Sequence, residues 1–311
     1  MTGLNPMKVL INPQTDRLRS GWRALLFVAI LISPRFLFAL LSSPDRSSAT
    51  PVFEVNAAMI ASYALLVAWV FGVSWGCLHW LDGERPSSLG LSFFPGWLRE
   101  IGRGGAMGLA MVGAIVLLQM AGGGTRLTPN PFWWRHGHLD GAGLKTTLVE
   151  GALVFLLLLI AATFEELIYR GYAFQTLLRG APAVVPLLLL SILFGLGHWE
   201  NPHRTFFSTA NTVLAGIWLS LAYLQSRNLW YPIALHLTWN WLLGPIFGLP
   251  ISGMTLPAHP LLQASSESPL WLTGGSYGSE GGVAATAVLL GAIGWMGRKS
   301  MCRRAHEPRN F

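Results

Sequence analysis

Two adjacent acidic residues lie at the end of a long apolar run. Glu165 and Glu166 follow LVFLLLLIAATF, and Arg170 comes four residues after Glu166. On a helix, Glu166 and Arg170 share one face, whereas Glu165 points about 100° away from that face. A buried ion pair leaves an uncompensated charge if either partner is lost. The spacing therefore predicts that Arg170 holds Glu166, while Glu165 stays available for chemistry.

Three further polar residues interrupt apolar segments later in the chain. His198 stands in SILFGLGHWENP, and His236 and Asn240 are four residues apart in YPIALHLTWNW. Taken alone, His198 could be a satisfied interior histidine, and His236 with Asn240 could form an interhelical hydrogen bond. Ionisable residues inside a membrane are costly and usually serve a function. Together with the glutamates, these residues therefore form a candidate site.

Peptide hydrolysis is one reaction that this set could perform. It needs a base to activate water, donors to stabilise the oxyanion, and an acid for the leaving amine. A glutamate with a histidine could activate the water, and a second histidine with an asparagine amide could stabilise the oxyanion. Glutamate and histidine are also plausible zinc ligands, but the chain contains no H-E-x-x-H motif.

The composition is that of a polytopic membrane protein. Of the 311 residues, 52% are hydrophobic and 11% are charged, against about 25% charged in an average soluble domain. The 14 Trp and 35 Gly residues fit closely packed helices in lipid with aromatic belts at the interfaces. The net charge of +7 does not predict a nucleic-acid partner. The lysines and arginines of the chain collect beside apolar segments. In that position they are expected to set the orientation of the spans in the membrane and to contact anionic lipids.

We predict an all-α fold, a transmembrane helix bundle with about eight spans. The predicted spans cover residues 22–42, 55–80, 103–121, 146–170, 183–199, 205–225, 229–247 and 282–297. The fourth span is expected to continue as helix to about residue 178. Because the fifth span is short and the sixth begins with polar residues, seven spans is an alternative.

The distribution of basic residues predicts the orientation of the bundle. With both termini in the cytoplasm, most lysines and arginines fall on the inner side. Two long outer loops, at about 122–145 and 248–281, lack the apolar sequence of a separate domain. We divide the chain into three parts: 1–145, helices without a motif; 146–247, the helices that carry the polar residues; and 248–311, an outer loop, the last span and a basic tail.

The depths of the two histidines pose a geometric question. With straight helices, His198 lies about fifteen residues from the inner end of its span and His236 only about seven. The two rings can meet only if the fifth span begins deeper or tilts. Pro182 and Pro186, near the start of that span, permit either arrangement.

The polar motifs resemble those of the CAAX-protease and bacteriocin-processing family of intramembrane proteases. EELIYR at 165–170 is similar to the E-E-x-x-x-R motif of that family, FGLGH at 194–198 to F-x-x-x-H, and HLTWN at 236–240 to H-x-x-x-N. The three motifs occur in the family's order, each on an apolar span. The first three spans and both long loops carry no family signature.

The resemblance implies an intramembrane endopeptidase that cleaves a membrane-associated protein or peptide. The implied roles are water activation by Glu165 with His198, orientation of the site by Glu166 with Arg170, and an oxyanion hole formed by His236 with Asn240. Both a metal-dependent and a metal-free, glutamate-dependent mechanism are held for this family. The resemblance therefore implies no certain cofactor and leaves a divalent metal such as zinc open.

The resemblance also bears on location and on alternative functions. Eukaryotic members process prenylated proteins, whereas some bacterial relatives are linked to peptide maturation or bacteriocin immunity. The short loops and compact size here are typical of a bacterial protein, which predicts the bacterial inner membrane. Two alternatives remain: a non-catalytic binding or immunity protein of the same family, and a transporter that uses the same polar residues. The absence of an internal repeat argues against the transporter.

Overall fold

The computed structural model describes residues 9–41, 55–135, 137–256, 259–266 and 269–306. These residues form a helical bundle, so the predicted all-α fold is confirmed. The helices are α1 (Ser20–Leu41), α2 (Ala57–Cys77), α3 (Trp97–Ala121), α4 (Gly141–Tyr169), α5 (Tyr172–Leu178), α6 (Val184–Gly197), α7 (Phe206–Ser226), α8 (Trp230–Trp241), α9 (Leu270–Thr273) and α10 (Val283–His306). π-Helical turns follow α2 (Leu78–Asp82) and α8 (Leu242–Ile246).

Six short strands form three antiparallel pairs in the described residues. They are β1 (Ile11–Asn12) with β2 (Arg17–Leu18), β3 (Thr125–Pro129) with β6 (Leu262–Ser266), and β4 (Trp134–Arg135) with β5 (His138–Leu139). All of them lie outside the long apolar helices.

Four helical segments are long and apolar enough to cross a membrane. They are Ala57–Asp82, Trp97–Ala121, Gly141–Leu178 and Phe206–Ser226. Shorter apolar helices occur at Ser20–Pro34, Val184–Gly197 and Val283–Arg298, within or overlapping other predicted spans. The protein is therefore an integral membrane protein, while the number of spans, eight or seven, stays a prediction.

The helix that carries the glutamates has defined ends. The Asp140 carboxylate accepts hydrogen bonds from the amides of Ala142 and Gly143 and so caps the start of α4. At the other end, a Cβ atom on Gly171 would collide with the Leu167 carbonyl oxygen, so this sharp break needs glycine. Beyond the break, α5 continues the helix to residue 178, as the sequence predicts.

Helices α3 and α8 approach each other closely through small residues. A Cβ atom on Gly104 would lie 2.7 Å from both the Ala234 Cβ atom and the Tyr231 carbonyl oxygen. One turn later, a Cβ atom on Gly108 would lie 2.9 Å from the Thr238 Cβ atom. Small residues let membrane helices pack at this distance. This contact sets the position of α8, the helix that carries His236 and Asn240.

Substituting valine for Gly104 is expected to destabilise the protein by about 1–3 kcal/mol, because the added carbons overpack the α3–α8 contact. The matched control is Gly113→Val on the same helix, where a Cβ atom meets nothing within 4 Å. The free energy of unfolding in mixed micelles measures both effects. Equal losses in the two variants would show that the close α3–α8 contact is not the cause.

The two long loops that are predicted to lie on the outer side pair with each other, a contact that the sequence did not predict. In addition to the β3–β6 pairing, the Asn130 side-chain amide donates to the Pro260 carbonyl at 2.9 Å. The Trp133 indole donates to the Leu261 carbonyl, also at 2.9 Å. The loops therefore form one connected cap at the end of the bundle where α3 ends and α4 begins.

Candidate active site

Glu166 and Arg170 form a fully buried ion pair. Their side chains have 0% exposure, and the distance from Arg170 Nη1 to Glu166 Oε1 is 3.1 Å. Arg170 also donates from Nη2 to the Gly216 carbonyl at 2.8 Å and from Nε to Ser220 Oγ at 3.3 Å. Because Gly216 and Ser220 belong to α7, the pair predicted on α4 also ties that helix to α7.

The chain returns from the glutamates to His198 through two short helices, α5 and α6. After the glutamates, α5 adds seven residues, or about 10 Å of helical rise, before the chain turns into α6. Helix α6 has only 14 residues, and His198 is the first residue after it. His198 and His236 thus meet at Glu165, where their Nε2 atoms lie 3.9 and 3.8 Å from the same Oε2 oxygen.

His198 faces Glu165 through a ring nitrogen that can accept a proton. Its Nδ1 lies 2.8 Å from the Phe194 carbonyl oxygen, and its Nε2 lies 3.9 Å from Glu165 Oε2. Because a carbonyl only accepts hydrogen bonds, Nδ1 carries the proton. In the neutral ring, Nε2 is therefore an acceptor that faces Glu165.

His236 lies between the two glutamates, a contact that the sequence did not predict. Its Nδ1 is 3.0 Å from Glu166 Oε1, and its Nε2 is 3.8 Å from Glu165 Oε2. Because the Glu166 carboxylate accepts, the ring donates from Nδ1 and turns Nε2 toward Glu165. This hydrogen bond links His236 on α8 to the buried Glu166–Arg170 pair and fixes the orientation of its ring.

Glu165 has one oxygen that no protein group satisfies. Within the described part of the chain, its Oε2 atom is buried and has no hydrogen-bond partner. The two histidine nitrogens, at 3.8 and 3.9 Å, are too far for direct hydrogen bonds. Polar atoms at such a separation can be joined by one bridging water. The geometry thus favours binding of a water molecule beside a carboxylate.

One cavity joins the candidate catalytic groups. Glu165, His198, His236 and Asn240 all line it, and its volume of about 70 Å³ exceeds the ~10–15 Å³ that a cavity needs, on the same measure, to hold one water molecule. The Asn240 side chain has no hydrogen bond to any described residue, so its amide is available to donate into the cavity. All six predicted residues therefore come together, four at the cavity and the Glu166–Arg170 pair behind it.

The long loop between α8 and α10 supplies a wall of this cavity that sequence reasoning missed. Glu280 accepts hydrogen bonds from the Trp239 indole at 2.9 Å and from the Ser252 hydroxyl at 2.8 Å. All three residues line the cavity. Glu280 thus fastens the loop to α8 beside Asn240. Glu280 lies in a glycine-rich loop and belongs to no motif or helical pattern. Its role is therefore seen only from its hydrogen bonds to Trp239 and Ser252 in the folded protein.

The chain also contains two G-x-S-x-G patterns, GVSWG at residues 72–76 and GGSYG at residues 274–278. In hydrolases with this motif, the serine stands on a sharp turn between a strand and a helix. Here Ser276 is exposed and lies in a short 3₁₀ turn (Gly275–Tyr277) that follows α9 rather than a strand. Ser74 of the other pattern is buried inside α2, so neither pattern forms a nucleophile elbow.

The glutamate and histidine side chains around Glu165 are spaced more widely than the ligands of a bound zinc ion. In the residues that the structure describes, no group of three or more His, Cys, Asp or Glu side chains could hold an ion. Tetrahedral zinc with ligands at about 2.1 Å brings ligand atoms to about 3.4 Å from one another. The nitrogen–oxygen separations around Glu165 are 3.8 and 3.9 Å. We therefore assign no step of the chemistry to a metal.

Comparison with known proteins agrees with the motif resemblance. Residues 148–242 match a family model described as type II CAAX prenyl endopeptidase Rce1-like, and this segment contains all six candidate residues. The match confirms the resemblance to this family of proteases and supports an intramembrane endopeptidase in general. No curated protein and no solved structure matches the chain.

Proposed function

We propose that this integral membrane protein hydrolyses a peptide bond of a membrane-associated protein or peptide, with Glu165 as the base that activates water. One observation carries the proposal: the buried, unpaired Glu165 Oε2 atom faces two imidazole nitrogens in a cavity that can contain water. A structural carboxylate in this setting would be expected to have a hydrogen-bond donor. Glu166 differs because Arg170 and His236 both bind its Oε1 atom, although its Oε2 atom is likewise buried without a hydrogen-bond partner among the described residues.

In the first step, Glu165 takes a proton from a water molecule while the water oxygen attacks the peptide carbonyl carbon. His198 Nε2 accepts the second hydrogen of that water and so orients it, a role that its Phe194 hydrogen bond makes possible. The carbonyl electron pair moves to oxygen and gives a tetrahedral oxyanion. General-base catalysis of this kind contributes about 10²–10⁴-fold to a rate.

The second step needs donors for the oxyanion and a proton for the leaving nitrogen. Asn240 donates an amide N–H, and His236 donates from Nε2 when both ring nitrogens carry protons. The adjacent carboxylates of Glu165 and Glu166 would compensate the charge of such a ring. As the oxyanion collapses, the C–N bond breaks and the proton on Glu165 passes to the leaving nitrogen. The products are a carboxylate and an amine.

Removing the Asn240 amide is expected to lower kcat by about 10²–10³-fold, the usual cost of losing one oxyanion donor. KM and stability should change little in Asn240→Ala, because the side chain has no hydrogen bond to the described residues. The comparison variant is Asn130→Ala, which loses a hydrogen bond in the outer cap and should affect stability rather than kcat. Unchanged kcat in Asn240→Ala would exclude it from the oxyanion hole.

The proposed location is the bacterial inner membrane with both termini in the cytoplasm, supported by the distribution of basic residues around the spans. The outer loop that holds Glu280 then covers the cavity from the extracytoplasmic side.

The proposal is tested with purified protein in lipid vesicles and a library of membrane-associated peptides. Mass spectrometry identifies new peptide termini, with and without a chelator. New termini that persist in the chelator support glutamate-dependent hydrolysis. Cleavage that the chelator abolishes would retain the endopeptidase but require a metal. Binding of peptides without any cleavage would overturn the endopeptidase and favour a non-catalytic member of the family.

A further inference from the structure

A second cavity, of about 390 Å³, lies where α1 begins and α5 ends. Its walls include the side chains of three arginines, Arg19, Arg23 and Arg179, and two polar residues, Asn12 and Ser20. None of the described residues that line it is acidic. The cavity is separate from the candidate active site and lies on the side that the distribution of basic residues assigns to the cytoplasm.

Two of the arginines that line this cavity share one buried carboxylate. Asp82 is buried with 0% side-chain exposure, and it forms an ion pair with Arg23. Its second oxygen lies 3.5 Å from Arg179 Nη1, and Arg17 donates to its backbone carbonyl. Among the described residues, the single negative charge of Asp82 stands against the two positive charges of Arg23 and Arg179. The cluster therefore keeps an excess of positive charge that an anionic ligand would neutralise.

Two of the residues that line the cavity are apolar and exposed. Trp22 and Leu25 line it, and they are 43% and 60% exposed on the outer surface of the bundle. The Trp22 indole donates to the Val9 carbonyl at 3.1 Å, so this ring has one polar and one apolar side. Tryptophan in such a setting marks the level of the lipid headgroups. The cavity thus combines arginines with an apolar wall at the membrane interface.

We propose that this cavity binds a phosphate group at the cytoplasmic membrane interface, and that an anionic phospholipid supplies it. Arginine presents a planar fork of donors that matches phosphate oxygens. The apolar wall beside the arginines suits the hydrocarbon that a phospholipid carries and a soluble phosphate lacks. A bound phosphate would join α1 to the residue that follows α5, because Arg23 belongs to α1 and Arg179 follows α5. This proposal does not depend on the proteolytic activity.

The test measures thermal unfolding of the purified full chain in a neutral detergent. Phosphatidylglycerol is expected to raise Tm, and phosphatidylcholine at the same concentration is not. Arg19→Gln and Arg179→Gln should each raise the half-saturating phosphatidylglycerol concentration about fivefold, the contribution of one arginine at an anionic surface. The matched control is Arg99→Gln, an exposed arginine on the same predicted side that does not line the cavity.

The remaining arms identify the source of the phosphate and guard against misfolding. A rise in Tm with inorganic phosphate alone, lost in the two cavity variants, would support the site but assign it to a soluble anion. Asn12→Asp keeps every arginine and places a negative charge in the cavity, so it should reduce the rise in Tm with phosphatidylglycerol. This variant tests the site even if the arginine variants do not fold. Equal stabilisation by both lipids, or an equal loss in Arg99→Gln, would overturn the proposal.

Discussion

Replacing Glu165 with glutamine is expected to abolish peptide hydrolysis while the protein remains folded in the membrane. The amide has nearly the same size and shape as the carboxylate, but it cannot take the proton of the attacking water. Loss of a general base costs about 10²–10⁴-fold in rate. The Glu165 side chain is 27% exposed and its Oε2 atom has no hydrogen-bond partner among the described residues, so the change should cost little stability.

The rate of peptide cleavage and the thermal unfolding temperature, measured on the same preparations, separate activity from folding. The control is Glu200→Gln, which neutralises an exposed carboxylate two residues after His198 and should leave the rate unchanged. A Glu165→Gln protein that cleaves at the wild-type rate would exclude this residue as the base.

Replacing Arg170 with alanine is expected to destabilise the protein by about 3–5 kcal/mol, because Glu166 is left as an uncompensated buried charge. The same change removes the hydrogen bonds from Arg170 to Gly216 and Ser220, which tie α4 to α7. Activity should fall as well, since Glu166 orients the His236 ring. The free energy of unfolding in mixed micelles measures the loss.

A double-mutant cycle isolates the ion pair from these other contacts. Removing both charges, in Glu166→Gln with Arg170→Ala, should cost less than the sum of the two single changes. The contrasting pair is Arg103 with Glu100, whose arginine side chain is 38% exposed, so Arg103→Ala should cost only about 0–1 kcal/mol. Additive losses at Glu166 and Arg170 would show that the two side chains do not stabilise each other.

Features that depend on neighbouring residues could be predicted from the sequence. The Glu166–Arg170 pair follows from a spacing of four on one helix, and the continuation of α4 to residue 178 follows from the apolar pattern. The lengths of the apolar segments likewise predicted where the long helices lie in the sequence. In each case the physical cause lies within about one or two turns of helix, so the local sequence contains it.

Features that depend on packing between distant segments could not be predicted in this way. The His236 hydrogen bond to Glu166 joins residues 70 positions apart, and the Glu280 contact with Trp239 joins residues 41 apart. The pairing of β3 with β6 has the same origin, because two loops without strong periodicity meet only in the folded bundle. The position of His198 beside Glu165 also needed the structure, since α5 and α6 separate the two residues in the chain.

The most direct test of the account follows one cleavable membrane peptide in vesicles prepared in water labelled with ¹⁸O. Mass spectrometry of the products reports both the new terminus and the source of its oxygen. The wild-type protein is expected to release a fragment whose new carboxyl group carries one ¹⁸O, and Glu165→Gln is expected to release none. Labelled product at equal rates from both proteins, or no product from the wild type with any membrane peptide, would contradict water activation by Glu165.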